Sequence, residues 1–547
     1  MTSSNKHDSD SSEKRWGRGR KDRAGKKESD EEQGPDLLEP HILRSLSNIK
    51  ITSIHTSCAG SHCVCIDIDG AAWLLGRSEK SSLGNLGEGG EDFFISENAP
   101  VRLTPQDIGA PKGTKFVNAA LGRNHTLLVG SNGQFWSAGV NQAGQCALPP
   151  CAEVSSFKLA HNPEVDGNKE KVVKAAAGIN FSLVLTEDGQ VFSCGSAEKG
   201  QLGNGKTGEH IVTGGKVVFD YEWEPIPVRG LEDKKVVEIA CGPQHSIAMD
   251  DAGVVYVWGY NGYCRLGLGN QKDVLIAQSV PQFAGPNVAT MGLHVIAGPS
   301  NSVVIDKQNM YWMAGKWKNT GDGSSGQPYS SFRIMQDIMG CKVYHAASGG
   351  VTHFALAPDD EAPVMTITFG QGASNGELGL GLDQPKSATK PQRNEPLIGI
   401  DVIQLAPAQN TTFFLAAPNE KLSDLPRHPL DMEAPELCVV CNKDLGDEDS
   451  PLECEKCDNP YHLKCLDPPL DAVPDGEWFC PDCEDDPGAP IVVGSGKKPA
   501  KKPAKRPAPK SVPDENAEED GVDEDSGSGR KRKATVGGKA APAKRKK

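Results

Sequence analysis

The chain has 547 residues, 24% of them charged and 37% hydrophobic, with a formal net charge of −15; that length accommodates several domains and a large core. No apolar run reaches the roughly 18 residues of a membrane span, and the N-terminus carries no apolar signal region, so the reading is a soluble intracellular protein with no membrane partner. The 16 cysteines are unevenly placed: seven fall within residues 436–486, and the other nine lie mostly in apolar runs, as reduced packing residues rather than a redox device.

Residues 1–35 are polar, Ser- and charge-rich, with almost no aliphatics, and cannot bury enough surface to order themselves. Their basic run, Lys14, Arg15, Arg18, Arg20, Lys21, Arg23, Lys26 and Lys27, reads as a nucleic-acid contact, an import signal or a solvated tail.

From residue 36 to 418 the chain repeats. Gly122, His125, Gly133 and Gly139 define G-x2-H-x7-G-x5-G, which recurs at Gly178, Phe181, Gly189, Gly195 and at Gly242, His245, Gly253, Gly259. Gly298, Asn301, Asn309 and Gly315 keep the register with two substitutions, and the first copy (Gly60, His62, Gly70, Gly76) is one residue short. A sixth copy is read at Gly350, His353 and Gly370, and a seventh breaks off after TTFFLAAP. Spacings of roughly 50–65 residues are propeller-class periods. Each copy reads as short strands: SLVLT and QVFSCG flank a Glu187-Asp188-Gly189 turn, and GQLG at 200–203 closes the copy. The fold expected is an all-β, seven-bladed propeller whose truncated last blade is completed by residues 41–51.

His62, His125, His245 and His353 are read as occupying one slot of separate blades. A catalytic residue is needed once, not once per blade, so the slot is structural, no catalytic residue is assigned and the chain is read as a non-enzyme. The irregular insertions at 88–100, 146–170 and 204–231 read either as partner surfaces or as passive loops.

These repeats resemble the regulator of chromosome condensation family; RLG at 265–267 and GELG at 376–379 look closest to the family's second member. The resemblance implies the propeller fold and, since the family includes a guanine-nucleotide exchange factor, a small GTPase as a further partner. It carries no exchange residue onto this sequence.

Residues 419–435, with Pro426, Pro429 and Pro435, read as a short stiff linker. Residues 436–486 then hold seven cysteines and one histidine as C-x2-C-x12-C-x2-C-x4-H-x2-C-x14-C-x2-C. Dyads with a two-residue gap turn both thiolates to one ion, and eight ligands make two closed tetrahedral zinc sites, structural rather than catalytic. So polar a segment has little apolar core, and bound metal supplies much of its folding free energy.

The ligand order, Tyr461 before His462, the LDPPL run and Trp478 ahead of Cys480 resemble a plant homeodomain (PHD) finger rather than a RING finger. That resemblance implies a cross-brace: Cys438, Cys441, His462 and Cys465 on one zinc, and Cys454, Cys457, Cys480 and Cys483 on the other. It also implies a partner, the N-terminal tail of histone three, added as a strand along Leu452, Glu453 and Cys454. Glu455 and Asp458 would accept the tail's arginine, and carbonyls at Pro474, Asp475 and Gly476 would hold its amino terminus. Leu437 and Pro460 stand where trimethyl-lysine readers carry cage aromatics, so unmodified lysine is expected, reached by Asp447, Glu448 or Asp449. With 18 acidic residues against three basic ones in 431–486, the finger repels phosphates and attracts cations.

Residues 487–547 form a Lys/Pro/Ala-rich tail, KKPAKKPAKRPAPK, with RKRK at 530–533 and KRKK at 544–547. These clusters read as nuclear localisation signals or nucleosomal-DNA contacts. The whole reads as a nuclear, chromatin-associated adaptor; the alternative is an exchange factor for a small GTPase localised to chromatin by the finger.

Overall fold

The computed structural model describes residues 36–46, 49–85, 92–317, 327–360, 362–417, 425–429, 437–443, 452–454, 459–474 and 478–481. Residues 1–35 and 487–547, with the localisation and DNA-contact readings made on them, lie outside the described residues.

Each repeat folds as an antiparallel sheet in chain order. The second is typical: Phe116–Leu121, His125–Gly130, Phe135–Asn141 and Cys151–Leu159 pair in sequence. The first strands of successive repeats contact one another, so they line the propeller axis and the fourth strands lie outermost. The second and third strands are buried nearly end to end, as in His125–Gly130, because both faces of each blade are covered by neighbouring blades. The core is accordingly inter-blade: Val64, Ile66 and Leu74 of the first repeat pack with Phe116, Leu128 and Trp136 of the second. Burying such aromatic and branched side chains contributes about 1.5–3 kcal/mol each.

The first glycine of the motif is required by a close approach between blades. A methyl added at Gly122 would lie 2.5 Å from the Gly178 carbonyl oxygen, and one at Gly242 would lie 2.6 Å from that of Gly298. Gly60 faces Gly122 in the same way, and Gly178 faces Gly242. The last glycine is fixed by conformation: Gly139 has φ 106° and packs on the Asn124 carbonyl, so a side chain there would be both strained and crowded.

The seven-bladed expectation is corrected to six complete blades. Among the described residues the seventh copy forms only a two-stranded sheet, Val402–Pro407 with Thr412–Ala416. That hairpin still packs on the first blade, where Gln404 accepts from Ile54 N–H at 2.9 Å and Thr56 Oγ1 donates to the Pro407 carbonyl at 3.1 Å. The N-terminal segment does not add to the hairpin as an antiparallel strand. Ile42–Leu43 pairs in parallel with Arg427–His428, inside the segment read as a linker. Pro426 and Pro429 flank that bridge and lack the donors a longer ladder needs. Further upstream, Gly381 N–H donates to the Leu38 carbonyl at 2.9 Å, just as Gly205 and Gly269 donate to Leu275 and Ser330 in the outer strands of following blades. Residues 36–43 thus stand in for an outer strand without completing a blade.

The slot assignment in the sixth repeat is also corrected. Gly349 N–H bonds the Thr352 carbonyl, and Thr352 pairs with Gly370, as Gly122 bonds His125 and His125 pairs with Gly139. His353 stands one place further on, because Gly349-Gly350 offers two registers to a motif that specifies one glycine. Its ring stacks on Phe369 at 5.0 Å, and its Nδ1 lies 3.0 Å from Ser348 Oγ.

Replacing Gly122 by Ala should lower stability by about 1–3 kcal/mol, since the buried His125 ring and the Gly178 carbonyl must both give way. Gly340→Ala, where a methyl meets nothing within 4 Å, should leave the denaturant midpoint unchanged; equal effects in the two variants would refute the close-approach argument.

Candidate functional site

The finger is built on a short hairpin. Leu452–Glu453 pairs antiparallel with Pro460–Tyr461, with Leu452 opposite Tyr461. The hairpin sets Cys454 at one strand end and His462 just past the other. Val439 N–H donates to the Pro460 carbonyl at 3.0 Å and ties the first knuckle to the hairpin.

Cys438, Cys441, His462 and Cys465 converge, with all four ligand atoms within 4.8 Å of one another. Cys441 Sγ and Cys465 Sγ lie 3.3 and 3.8 Å from His462 Nδ1. Zinc bond lengths of about 2.3 Å to sulfur and 2.0–2.1 Å to nitrogen, at tetrahedral angles, place such atoms about 3.6 Å apart, so the cluster fits zinc. Burial pushes the Cys438 thiol up, but N–H groups of Cys441, His462 and Val440 outweigh it and bring the thiol down to about 7. Those donors favour the thiolate that a metal needs. His462 is buried and would bind through Nδ1.

Of the second expected set, Cys454 and Cys480 are buried together, and Cys480 N–H points at Cys454 Sγ at 3.2 Å. Cys457 and Cys483 lie outside the described residues. Trp478 packs edge-on against Tyr461 at 5.6 Å, within the small cluster that Cys454, Leu466 and Cys480 form, as expected of a core residue.

The expected peptide groove is partly described. Leu452 is half-buried and Glu453 exposed, and among the described residues the other edge of their strand has no partner. Pro474 is half-buried, while Glu455, Asp458, Asp475, Gly476, Asp447, Glu448 and Asp449 lie outside the described residues. Leu437 is exposed and Pro460 is buried, so the two positions compared with cage aromatics are aliphatic.

In the propeller, the slot histidines tie blades together. His125 Nε2 lies 2.9 Å from Ser182 Oγ of the next blade, and Ser182 donates its own hydrogen to the Gln145 carbonyl. Nε2 must therefore be the donor, which fixes the neutral tautomer and leaves the buried Nδ1 without a partner. His62 reaches Thr126 at 3.0 Å and His245 reaches Ser302 at 3.1 Å in the same manner. Burial pushes His62 down to about 4 and His125 to about 3, and takes His245 well below the ordinary imidazole range.

The insertions are largely ordered. In the first, Asp92–Ile95 pairs with an extension of Ala72–Glu79; in the second, Cys151–Leu159 is a nine-residue outer strand. The third carries a separate hairpin, His210–Val212 with Lys216–Val218, on which Ile211 is 72% exposed. Sequence reasoning missed this hairpin, whose strands are short; its one signal was the Gly214-Gly215 pair at the turn, both with positive φ.

Comparison with known proteins decides the affiliation. A family model described as an RCC1-like domain matches residues 15–414. The chain belongs to the RCC1-like domain family. A second model, described as a PHD-finger, matches residues 438–483, so an RCC1-like propeller is joined to a zinc-binding PHD finger. The chain is 29% identical to "Protein RCC2 homolog" of Xenopus laevis over 74% of its own length and 79% of that protein. It is 27% identical to human "Protein RCC2" over 74% and 77%, in keeping with the expected likeness to the family's second member. Among solved structures, human WBSCR16 matches with TM-score 0.54 at 19% identity, covering 67% of this chain and 87% of that one. Prp20p of Saccharomyces cerevisiae, whose title names binding to Gsp1p and histones, matches with TM-score 0.53 at 17% identity over 71% and 96%. At such identities the structural matches speak to fold alone.

The histidines give a pH expectation. Their folded pKa values lie below the unfolded value of about 6.5, so the unfolded chain binds more protons from there down to about pH 3–4. Stability from this source is complete above about pH 6.5 and falls on acidification, by up to about 1.4 kcal/mol per pH unit per histidine. Placing at His125 the residue found in the fifth copy, His125→Asn, should remove about one proton from the slope of stability against pH between 6 and 4; an unaltered slope would refute the assignment.

Proposed function

We propose that the chain is a chromatin-associated adaptor in which the finger selects a cationic chain end, the N-terminal tail of histone three, while the propeller holds a protein partner. The observation carrying this reading is the short finger strand Leu452–Glu453, paired on one edge only among the described residues and set in a stretch with 18 acidic and three basic residues. An open edge adds a strand through main-chain hydrogen bonds, and the surrounding carboxylates select cations. In this reading Glu455 and Asp458 receive the arginine, and carbonyls at Pro474, Asp475 and Gly476 receive the terminal amine. A second zinc bound by Cys454, Cys457, Cys480 and Cys483 fixes that strand; the Cys480–Cys454 contact supports it. The lysine clusters of the C-terminal tail supply the nuclear address and a salt-sensitive DNA contact, so finger and tail act as one avid binder.

An unmodified Ala-Arg-Thr-Lys peptide should bind the full chain, with two zinc ions per chain by metal analysis. Asp458→Ala should weaken the peptide about tenfold or more, and chelation should abolish binding while the propeller's strand signal persists. Binding that survives chelation would refute the reading.

A second reading is favoured by the hairpin that bears Ile211. Short, outward-facing and apolar, it is the kind of element that could act on a small GTPase as an exchange factor's lever. Nucleotide release from a panel of purified small GTPases discriminates the two: stimulation by the full chain, lost in Ile211→Asp, would establish exchange, and no stimulation would leave the adaptor.

A further inference from the structure

The innermost strands carry a second repeat that the glycine–histidine motif does not use. The second residue of this strand, or the one just before it, is Val117, Val173, Val237, Leu293, Tyr344 and Ile403 in six of the seven copies, with Thr52 in the first. The six apolar side chains are 37–50% exposed. They stand at one level around the axis, at the end where each inner strand begins, and the residues on either side of them, such as Val172 and Lys174, are buried or half-buried. In five of the six complete blades a register shift falls at this residue, as between Phe116 and Asn118 or Val236 and Glu238. A bulge of this kind re-aims a side chain. Six large apolar groups exposed at equivalent positions form a collar, not a scatter of single surface residues, and such collars mark interaction sites.

Two residues before the collar position, just ahead of the inner strand, stand Lys50, Lys115, Lys171, Lys235 and Lys342, all exposed, while the fifth and seventh copies carry Met291 and the exposed Asp401 there. The sequence signature is Lys–apolar–collar residue: Lys171-Val172-Val173, Lys235-Val236-Val237, Lys342-Val343-Tyr344. Lys115 reaches the Ile68 carbonyl and Lys171 pairs with Glu187 at 3.2 Å. The acidic residues nearby, Asp69, Asp188 and Asp251, sit in turns joining second and third strands, farther from the axis. The mouth itself is therefore apolar, with a rim of five lysines interrupted by one carboxylate, Asp401 beside Tyr344.

We infer that this axial mouth is a protein-docking site for an acidic segment carrying large apolar side chains. An apolar centre with a charged rim is the anatomy of a protein interface. A nucleic-acid backbone would use the lysines but leave six apolar side chains unmatched, so duplex DNA is the disfavoured occupant. Below the collar, Glu238 accepts Val295 N–H at 3.1 Å and Asn118 accepts Ala175 N–H at 2.9 Å from the following blades, so the mouth is presented on stapled inner strands. The site shares no residue with the hairpin bearing Ile211 or with the finger.

The test uses the full chain and a fluorescein-labelled Asp-Glu-Leu-Phe-Glu-Asp peptide, read by anisotropy at physiological salt, beside the same peptide with Ser for Leu and Phe and a 20-base-pair DNA duplex. Because the collar residues are exposed, Val173→Ser with Val237→Ser should keep the fold, checked by an unchanged melting temperature, and weaken the apolar peptide about tenfold. Lys235→Glu with Lys342→Glu should do the same, while Ile211→Asp should not. The Ser peptide should bind no better to the parent chain than the apolar peptide binds to the valine variant. Equal binding of the two peptides, or indifference to the valine changes, would assign binding to the basic tails and overturn the inference. Loss of DNA affinity in the valine variant would overturn it in favour of nucleic acid.

Discussion

What the propeller depends on is the distance between one blade's backbone and the next. Gly122 sits against the Gly178 carbonyl with no room for a methyl group, and the same closeness recurs at Gly60, Gly178 and Gly242. Only that separation brings Nε2 of His125 within 2.9 Å of Ser182 and lets Val64 and Leu74 interleave with Phe116 and Trp136. Close packing makes such interfaces intolerant of added volume, so the spacing at the axis governs the burial farther out. The recurring motif is thus a record of inter-blade contact rather than of chemistry within a blade.

The finger rests on a different principle. Its apolar cluster is small, with Cys454, Tyr461, Leu466 and Cys480 at the centre, and four ligand atoms converge where a larger domain would place hydrophobic side chains. Metal binding then carries what apolar burial cannot. The two parts of the chain have separate sources of stability, burial and hydrogen bonding in one and coordination in the other.

Much of this was legible in the sequence because the signals are spacings. The glycine period announces a propeller, and the cysteine spacing announces a metal-bound finger. What escaped were features set by tertiary geometry. The doublet Gly349-Gly350 permitted two registers, and only the pairing of Thr352 with Gly370 shows which is used. The bridge between Ile42–Leu43 and Arg427–His428 joins segments some 385 residues apart, with no local pattern to betray it. The collar at Val117, Val173 and Val237 was hidden for another reason: valine in a strand reads as core, and exposure depends on a bulge and on nearness to the axis.

The parallel bridge has a mechanical consequence. It holds the start of the ring beside the segment that runs on toward the finger, and it is only two residues long, reinforced by the Arg44 contact to the Pro429 carbonyl and by His428 against Glu97. A pull transmitted along the chain from an anchored finger is therefore delivered first to this seam. The six complete blades are fastened by longer ladders and would outlast it, so under such a load the seam would part first, as a mechanical fuse between tether and ring.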